Sequence, residues 1–413
     1  MLGRKWFLIT FVLLIASLIV KQPALLVITL LFFLTSGIAR LWSRYSLQRL
    51  DYKRELSGQR VFFGDTITMD ISLSNSKFLP LPWINVEEEV PEEVVFLKGK
   101  TIEGSSDKPY RSIFSGFFSM SWYHRLTRRY PIQCLKRGVF TFGPGRVNSG
   151  DPFGFFRNTL PIEQEDRLIV YPRIVPLELL NIPSRHPFGD LRIKRHLFED
   201  PVQVMTTRDY INGDPMKRIH WKASARLQRL QSRVFEHTTT MDMALFLDTR
   251  TIPREYYWNE VATDLLETAV ITATAIADRC IKDGYKVGLY ANELYFNSTH
   301  LLEIPPSENT GQFKDILEAL AHIRGIPFIT IDKLLSREAR QLSWETTIVL
   351  ITAVLTDENI ATLRHFRRAG RRISLVLIGK DAHTVRLNGI TVYNVPEDVY
   401  QKQMDSLRLE PVA

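Results

Sequence analysis

The sequence predicts three structural units in succession: an N-terminal transmembrane helical hairpin, an antiparallel β-sandwich of immunoglobulin-like shape, and an α/β doubly wound domain. Two apolar runs near the N-terminus predict the hairpin. Short alternating strands predict the sandwich, and buried strands that alternate with helices predict the α/β domain. The composition of the 413-residue chain, 45% hydrophobic with two cysteines, excludes a disordered or disulfide-stapled protein.

Residues 1–50 are predicted to cross a membrane twice. The apolar runs 6–20 and 24–39 are separated by Lys21, Gln22 and Pro23, which leaves room only for a tight turn. Each run is short for a hydrocarbon core of roughly 30 Å, but flanking cations and tryptophans can reach the interface. A cleaved signal peptide would also explain the first run, but a second apolar run follows it directly.

The positive charges around these runs predict the orientation. The turn between the runs holds Lys21 alone, whereas five cations flank the pair on its outer sides: Arg4, Lys5, Arg40, Arg44 and Arg49. Positively charged loops stay on the cytoplasmic side of a membrane. We therefore expect two spans in the cell inner (plasma) membrane, with both termini and the soluble domains in the cytoplasm.

The net charge of +8 is concentrated in two places. Residues 1–50 hold six Lys or Arg and no acidic residue, and residues 215–235 hold six more, again without an acidic residue. The remainder of the chain is slightly acidic. A nucleic-acid-binding protein would distribute basic residues along one face and offer aromatic residues for stacking, so nucleic acid is not an expected partner.

The segment 51–180 is assigned to the β-sandwich. Residues 66–74 alternate between polar and apolar side chains, which is typical of a strand with one buried face. That apolar face consists of Ile67, Met69, Ile71 and Leu73. Further strands are predicted at 139–142 and 167–171, each closed by Gly or Pro. Short strands at such spacing favour an antiparallel sandwich.

The segment 241–413 is assigned to the α/β domain. Continuous apolar strands are predicted at 243–247, 286–290, 347–352 and 373–378, with helices at about 256–282 and 357–368. Buried strands that alternate with helices favour a parallel sheet. Ligands of such sheets bind beyond the carboxyl ends of the strands, and Asp248 follows the first strand directly.

The remaining segment, 181–240, is assigned to a linker. Asp214 followed by Pro215 is a helix-start signal and predicts a basic helix within 215–235. Two interpretations of this basic helix remain open. Its arginines pair with carboxylates of the two neighbouring domains, or it forms a docking surface for an acidic partner or for anionic lipid headgroups.

The run RDYINGDPMKRIHWKASAR at 208–226 resembles the signature of the bacterial domain of unknown function 58 family. The stretches CLKRGVFTFGP (134–144) and DPFGFFR (151–157), together with the double apolar N-terminus, are similar to the same family. The resemblance implies a membrane-anchored protein with a C-terminal von Willebrand factor A-like domain. It also implies work beside MoxR-type AAA+ ATPases in assembling or maturing other proteins.

The resemblance makes the signature the first candidate for a binding site. The residues that we select from it are Arg208, Tyr210, Gly213, Asp214, Trp221, Lys222 and Arg226. A von Willebrand factor A-like domain further implies a magnesium site built on an Asp-x-Ser-x-Ser motif. Asp248 fits the first position, but Arg250 and Ile252 stand at the two serine positions. We therefore expect no cofactor, with magnesium at Asp248 as the alternative.

A hydrolase is a further alternative, because Asp214, His220 and Ser224 lie within one short segment. Asp214 already serves as the predicted helix cap, however. No phosphate-binding loop of the GxxxxGK[ST] kind occurs in the sequence, so nucleotide hydrolysis would require a partner. Cys134 and Cys280 are far apart and are expected to be buried thiols.

The leading hypothesis is a membrane-anchored, non-enzymatic adaptor or assembly factor. It would contact membrane lipid, act with a MoxR-type AAA+ ATPase and serve an unknown client protein in protein maturation or complex assembly. The alternatives are metal-dependent adhesion or enzyme activity at Asp248, and a hydrolase that uses His220 and Ser224. We expect no enzyme activity under the leading hypothesis.

Overall fold

A computed structural model describes residues 2–20, 22–98, 100–102, 110–179, 204–211, 216, 219–235, 242–252, 261–295, 298–379, 387–402, 404 and 406–411. The chain forms two compact units. The first comprises Met1–Arg173 and Leu320–His322, and the second comprises Ile174–Ala319 and Ile323–Ala413.

The first unit begins with two helices, α1 (Leu2–Val20) and α2 (Pro23–Ser46). The ring of Phe33 lies 5.4 Å from that of Phe7, and the hydroxyl of Thr29 donates to Ser17 Oγ at 2.8 Å. Most apolar side chains of both helices are exposed. By length and composition α2 can cross a membrane, whereas residues 7–20 form a shorter apolar helix.

The rest of the first unit is β-rich, as predicted for 51–180. Its strands are β1 (Leu50–Leu56), β2 (Arg60–Phe62), β3 (Thr66–Asn75), β4 (Leu81–Pro91), β5 (Val95–Phe96), β6 (Lys100–Ile102), β7 (Arg111–Met120), β8 (Arg125–Gln133), β9 (Gly138–Phe142), β10 (Gly145–Gly150), β11 (Arg157–Ile162) and β12 (Asp166–Tyr171). They form three sheets of order β1-β3-β8-β5, β11-β10-β4-β7-β6 and β2-β12-β9. All pairs are antiparallel except β2 with β12.

The alternation predicted for β3 is confirmed. The side chains of Ile67, Met69, Ile71 and Leu73 are buried in a core to which all three sheets contribute. Period-two alternation produces this arrangement because successive side chains of a strand point to opposite faces. Burial of each such side chain stabilises the fold by about 1.5–3 kcal/mol.

The second unit contains most of the helices. Its strands and helices are β13 (Leu177–Leu179), β14 (Val204–Asp209), α3 (Trp221–Leu227), β15 (Gln231–Phe235), β16 (Asp242–Leu247), α4 (Thr263–Lys282), β17 (Lys286–Leu294), β18 (Leu301–Ser307), α5 (Gln312–His322), α6 (Ile331–Glu338), β19 (Thr347–Thr352), α7 (Asp357–Arg368), β20 (Ile373–Ile378), β21 (Thr391–Val395) and β22 (Leu407–Pro411). A short 3-10 helix, Glu397–Val399, precedes β22.

Eight of these strands form one sheet of order β13-β22-β21-β20-β19-β16-β17-β18. The five strands from β21 to β17 are mutually parallel. At the two ends of this group, β18 pairs antiparallel with β17 and β22 pairs antiparallel with β21, and β13 pairs parallel with β22. Ala244 and Phe246 of β16 pack in one cluster with Leu334 of α6 and Leu363 of α7. Helix α4 also contacts the central strands, so helices lie against the sheet.

Three predicted boundaries match the structure: strands 347–352 and 373–378 and helix 357–368 coincide with β19, β20 and α7. The predicted helix 256–282 starts later, at Thr263, and residues 253–260 lie outside the described residues. Strand β13, which the sequence assigns to the sandwich segment, pairs instead with β22. The sequence could not place this strand, because a strand of three residues carries no periodicity of its own.

Candidate functional site

The signature forms a small β-α-β structure in which strands β14 and β15 pair antiparallel. Two backbone hydrogen bonds hold the connecting segment against β15 and the residue before it. Tyr210 N donates to Leu230 O at 2.9 Å, and His220 N donates to Gln231 O at 2.8 Å. Ile219 forms an isolated bridge with Ser232. Tyr210, Ile219 and His220 are therefore bonded to β15 or to the residue before it, and α3 begins only at Trp221.

The basic helix predicted within 215–235 is present but occupies only part of that segment. Helix α3 has seven residues, and Gln231–Phe235 is a strand. The helix-start signal Asp214-Pro215 lies outside the described residues, as does Gly213. Strand pairing outweighs the local helix preference because it satisfies the backbone groups of Ile219 and His220 that a helix would otherwise use.

His220 and Ser224 have structural partners in this segment. His220 Nδ1 accepts a hydrogen bond from Ala223 N at 3.1 Å and so caps α3. The buried hydroxyl of Ser224 donates to His220 O at 3.0 Å and accepts from Gln231 N at 2.9 Å. With its proton donated to the backbone, the hydroxyl is not activated by the imidazole. The hydrolase alternative therefore loses its nucleophile–base pair.

Asp209 is also bonded within the segment. Its Oδ1 accepts from Gln231 Nε2 at 2.5 Å, and its Oδ2 accepts from Arg229 Nη1 at 3.3 Å. Both members of the Asp209–Arg229 pair are more than half exposed, so the ion pair contributes little stability. One arginine of the basic segment 215–235, Arg229, therefore pairs with a carboxylate of the signature rather than with one of a neighbouring domain.

The outer surface of the segment is apolar and basic. Trp221 is 65% exposed, and Lys222 and Arg226, four residues apart on α3, are exposed on one face. Further exposed apolar side chains belong to Ile211, Met216, Leu227 and Leu230. Among the other predicted binding residues, Arg208 is exposed and Tyr210 is half-buried. Five large apolar side chains exposed within some twenty residues are typical of an interaction surface.

Asp248 lies at the carboxyl end of β16, as predicted, and is buried. Its Oδ1 accepts from Asn292 Nδ2 at 2.8 Å and from Arg250 N at 3.1 Å. Its Oδ2 accepts from the Thr352 hydroxyl at 3.0 Å. Asn292 and Thr352, which the sequence alone did not identify, stand on β17 and β19, the two strands beside β16. Polar residues near the ends of neighbouring apolar strands were the available signal.

The groups around Asp248 do not fit a magnesium ion. Burial raises the pKa of Asp248, whereas its three hydrogen bonds and the charge of Arg250 oppose that rise. These partners are N–H and O–H donors, but a hard cation requires several oxygen ligands. Among the described residues, no group of three or more His, Cys, Asp or Glu is arranged to hold a metal ion. We therefore derive no chemistry from a metal at this position.

The two stretches upstream of the signature build turns in the β-rich unit. The carboxylate of Asp151 accepts hydrogen bonds from three backbone N–H groups, those of Phe153 at 2.9 Å, Phe155 at 3.2 Å and Phe156 at 2.5 Å. Gly143 has φ +87°, and an added Cβ would lie 2.2 Å from Gln164 O. Both predicted buried thiols, Cys134 and Cys280, are buried, and burial raises the pKa of Cys134 to about 11.

Comparison with known proteins gives one curated relative and several solved structures. The chain is 25% identical over 372 residues to "Uncharacterized protein YeaD" of Bacillus subtilis (strain 168), covering 87% of this chain and 83% of the relative. A cohesin module from Clostridium perfringens (12% identity, TM-score 0.21) covers 30% of this chain and 95% of its own. A type II cohesin domain from Acetivibrio cellulolyticus (10%, TM-score 0.22) covers 29% and 95%. At these TM-scores the structural likeness carries no argument.

The family comparison agrees with the signature. Residues 206–389 match the family described as "Protein of unknown function DUF58". The match begins within β14, includes α3 and β15, and extends through the Asp248 end of the sheet to Gly389. The surface of α3 and the polar cluster around Asp248 therefore both lie in the matched region. The resemblance predicted from the signature is therefore confirmed over residues 206–389 by the match to this family.

Proposed function

We propose that this protein is a membrane-anchored, non-enzymatic adaptor that acts with a MoxR-type AAA+ ATPase in protein maturation or complex assembly. The observation that carries the proposal is the exposed apolar and basic surface of the signature, formed by Trp221, Lys222 and Arg226 with the neighbouring apolar side chains. Exposed aromatic and basic side chains on a small helix suit docking to an acidic protein surface.

The polar residues beside this surface support an adaptor over an enzyme. His220, Ser224 and Asp209 are committed to hydrogen bonds that hold the segment together. Asp248 is surrounded by hydrogen-bond donors and is buried. A catalytic group must instead be able to reach a substrate. The client protein on which the ATPase would act is one that the adaptor brings to it.

We further propose two membrane spans with both termini in the cytoplasm. The length and apolarity of α2 and its contacts with α1 support two adjacent spans, because the ring of Phe33 meets α1 and Thr29 bonds Ser17. We take the β-rich unit to be an immunoglobulin-like sandwich and the α/β unit to be a von Willebrand factor A-like domain. The largely parallel sheet with Asp248 at a carboxyl end supports the second assignment.

Co-purification tests the adaptor proposal. The full-length protein, solubilised gently from its own membranes after crosslinking, should recover a MoxR-type ATPase that mass spectrometry identifies. The double substitution Trp221→Ser and Arg226→Glu changes exposed side chains of α3 and should abolish this recovery. The matched control, Arg364→Glu on the exposed side of α7, should recover the ATPase as the wild type does.

Two results would count against the proposal. Recovery of no AAA+ ATPase by the crosslinked wild type removes the partner. Equal recovery by the wild type and the α3 double variant removes the signature surface as its binding site. Loss of recovery would not be due to unfolding, because each exposed surface substitution changes the stability by about 0.5 kcal/mol at most.

A further inference from the structure

One end of the β-rich unit collects three loops. The pairings Leu50↔Asn75, Leu81↔Met120 and Gly150↔Arg157 place the starts of β1, β4 and β11 beside the ends of β3, β7 and β10. The partners Ser74↔Arg125 and Ser149↔Ile84 add the start of β8 and link β10 to β4. The three loops at this end are 76–80, 121–124 and 151–156, and we call it the α2 end.

Helix α2 enters the β-rich unit at this same end. After α2 the chain reaches β1 within four residues, and Ser76 N of the first loop donates to Arg49 O at 3.0 Å. Asn158 Nδ2, one residue into β11, donates to Ser43 O at 2.5 Å. Ser43 and Ser46 are buried there, whereas the large apolar side chains of α2 are exposed from Leu25 to Leu41, apart from Leu26 and Phe33. The apolar length of α2 therefore precedes its contact with the β-rich unit.

The three loops carry exposed aromatic side chains. Phe78 is 72% exposed and stacks on Trp122, which is 56% exposed, with ring centroids 5.5 Å apart and an interplanar angle of 11°. Tyr123 beside them is also exposed. In the third loop, exposed Phe153 and Phe155 stack with centroids 5.9 Å apart. Five exposed aromatic residues at one end of a unit require an explanation, because such side chains are usually covered.

The loops hold these side chains in fixed positions. Asn75 Nδ2 donates to Leu79 O and to Ser121 O, which joins the first two loops, and Tyr123 N donates to Lys77 O. The third loop is held by the carboxylate of Asp151, which accepts the three N–H bonds described above. Loop tips that are this strongly bonded present their aromatic rings without a large ordering cost on binding.

The charge of the α2 end is positive. Three exposed arginines lie here: Arg44 in the last turn of α2, Arg49 just before β1 and Arg125 at the start of β8. Asp151, the carboxylate of the third loop, is buried and bonded to the backbone. Trp42 precedes the last residue of α2 by four positions, or about 6 Å along a helix axis. Tryptophan at that place is typical of the interface between lipid and water.

We infer that Phe78, Trp122, Tyr123, Phe153 and Phe155 insert into the anionic headgroup region of the membrane that α2 crosses. Aromatic residues favour this region, because an apolar ring meets acyl chains while a polar edge meets water. The neighbouring cations attract anionic lipid headgroups. The α2 end is thus a second, interfacial anchor that fixes the tilt of the β-rich unit on the membrane. The inference rests on the membrane anchor of the proposed function.

Depth-resolved fluorescence quenching tests the inference on the full-length protein. Phe78→Cys and Phe153→Cys are each labelled with an environment-sensitive dye and reconstituted into phosphatidylethanolamine–phosphatidylglycerol vesicles that contain nitroxide lipids in both leaflets. Tyr110→Cys is the matched control, because Tyr110 is 77% exposed and precedes β7 at the opposite end of the unit. Phe32→Cys, at an exposed site of α2, reports on the membrane span itself. The unsubstituted protein measures labelling of the buried native thiols.

We expect a shallow nitroxide to quench the labels at 78 and 153 several-fold more than the label at 110, and a mid-chain nitroxide to quench the label at 32. Equal, weak quenching at 78, 153 and 110 with strong quenching at 32 would overturn the interfacial anchor and leave the span intact. Such a result would indicate that the aromatic loops contact a protein partner instead of lipid. Absence of quenching at 32 would defeat the membrane anchor of the proposed function and the present inference with it.

Discussion

The β-rich unit contains a charged cluster centred on the fully buried side chains of Arg54 and Glu88. The side chain of Arg54 has no exposed surface, and its Nη1 lies 3.0 Å from Glu88 Oε2 while its Nε lies 2.7 Å from Asp166 Oδ2. Its remaining donors reach the carbonyl oxygens of Phe142 and Gln164. Gly143 packs against this guanidinium, and a Cβ at its position would lie 3.0 Å from Arg54 Nη2. The glycine of the upstream stretch 134–144 is therefore required by packing against this arginine.

One guanidinium in this cluster faces two carboxyl groups. Burial, together with the nearby charge of Asp166, raises the pKa of Glu88 to about 8. Glu88 Oε1 has no hydrogen-bond partner among the described residues, which disfavours the ionised form. The Asp166 side chain is partly exposed, in contrast to that of Glu88. Removing one partner of a buried ion pair is costly. A substitution that tests the cluster should therefore keep the size of the side chain and remove only its ionisable proton.

The first prediction concerns the pH dependence of this cluster. Between pH 4.5 and about 8 the folded protein holds a proton on Glu88 that the unfolded chain has lost. The contribution of this proton is complete below pH 4.5 and is lost as the pH rises through about 8. We expect the free energy of unfolding to fall over this range, by at most about 1.4 kcal/mol per pH unit. Glu88→Gln, neutral at every pH, should remove this part of the decline.

The measurement is urea denaturation of the full-length protein in detergent at several pH values. Glu92→Gln is the matched control, because Glu92 is exposed in the turn that follows the same strand. That control should retain the wild-type slope. A Glu88→Gln variant with an unchanged slope would show that Glu88 is ionised in the folded protein.

Among the elements, those with local signals at both ends are predictable. Strand β19 is a continuous apolar run, and α7 begins after Thr356, whose hydroxyl accepts a hydrogen bond from Asn359 N. The helix ends before Gly370, which has φ +88°. Capping residues and a left-handed glycine act within one turn of the helix, so the sequence alone places these boundaries.

The signature segment shows the opposite case. Its helix start depends on hydrogen bonds from His220 N to Gln231 O and from Gln231 N to Ser224 Oγ. These contacts join residues seven to eleven positions apart, and the Asp214-Pro215 signal does not report them. The sequence could therefore identify the segment as a binding candidate, but not which side chains would be exposed. Exposure of Trp221 and burial of Ser224 follow from pairing of β14 with β15.

The second prediction separates a structural His220 from a catalytic one. Asparagine is a strong N-cap residue, so His220→Asn should preserve α3, whereas His220→Ala should destabilise it by about 1 kcal/mol. Hydrogen exchange at the amides of α3 measures the difference, since loss of the cap should raise exchange at Ala223 first. Both variants should retain partner recovery in proportion to the helicity of α3. If His220→Asn kept the wild-type hydrogen-exchange protection of α3 but lost a hydrolase activity that the wild type shows, the catalytic interpretation of His220 would be restored.

At the scale of the molecule, the sheet brings together residues that the sequence separates widely. Asp248, Asn292 and Thr352 lie on three neighbouring strands, and Thr249 N donates to Asn292 Oδ1 at 2.8 Å. The sequence places Asp248 at a strand end, but the order of the strands in the sheet is a tertiary property. Asn292 escapes prediction because β17 extends four residues beyond the predicted 286–290. In the folded sheet Asp248, which the sequence suggested as a metal ligand, accepts hydrogen bonds from Asn292 and Thr352.

The arrangement of the membrane segments yields the last prediction, which distinguishes two spans from one. With two spans, reporters fused to the N-terminus and to the C-terminus lie on the same side, and the outer cations place that side in the cytoplasm. If α2 alone crosses, the arginines after it still hold the C-terminal units in the cytoplasm, but the N-terminus lies outside. We therefore expect a cytoplasm-dependent fluorescent reporter to be active at either terminus and alkaline phosphatase to be inactive at both. Phosphatase activity at the N-terminus alone would show that α2 is the single span. Phosphatase activity at the C-terminus would reverse the topology, and the signature surface would then be out of reach of any cytoplasmic ATPase.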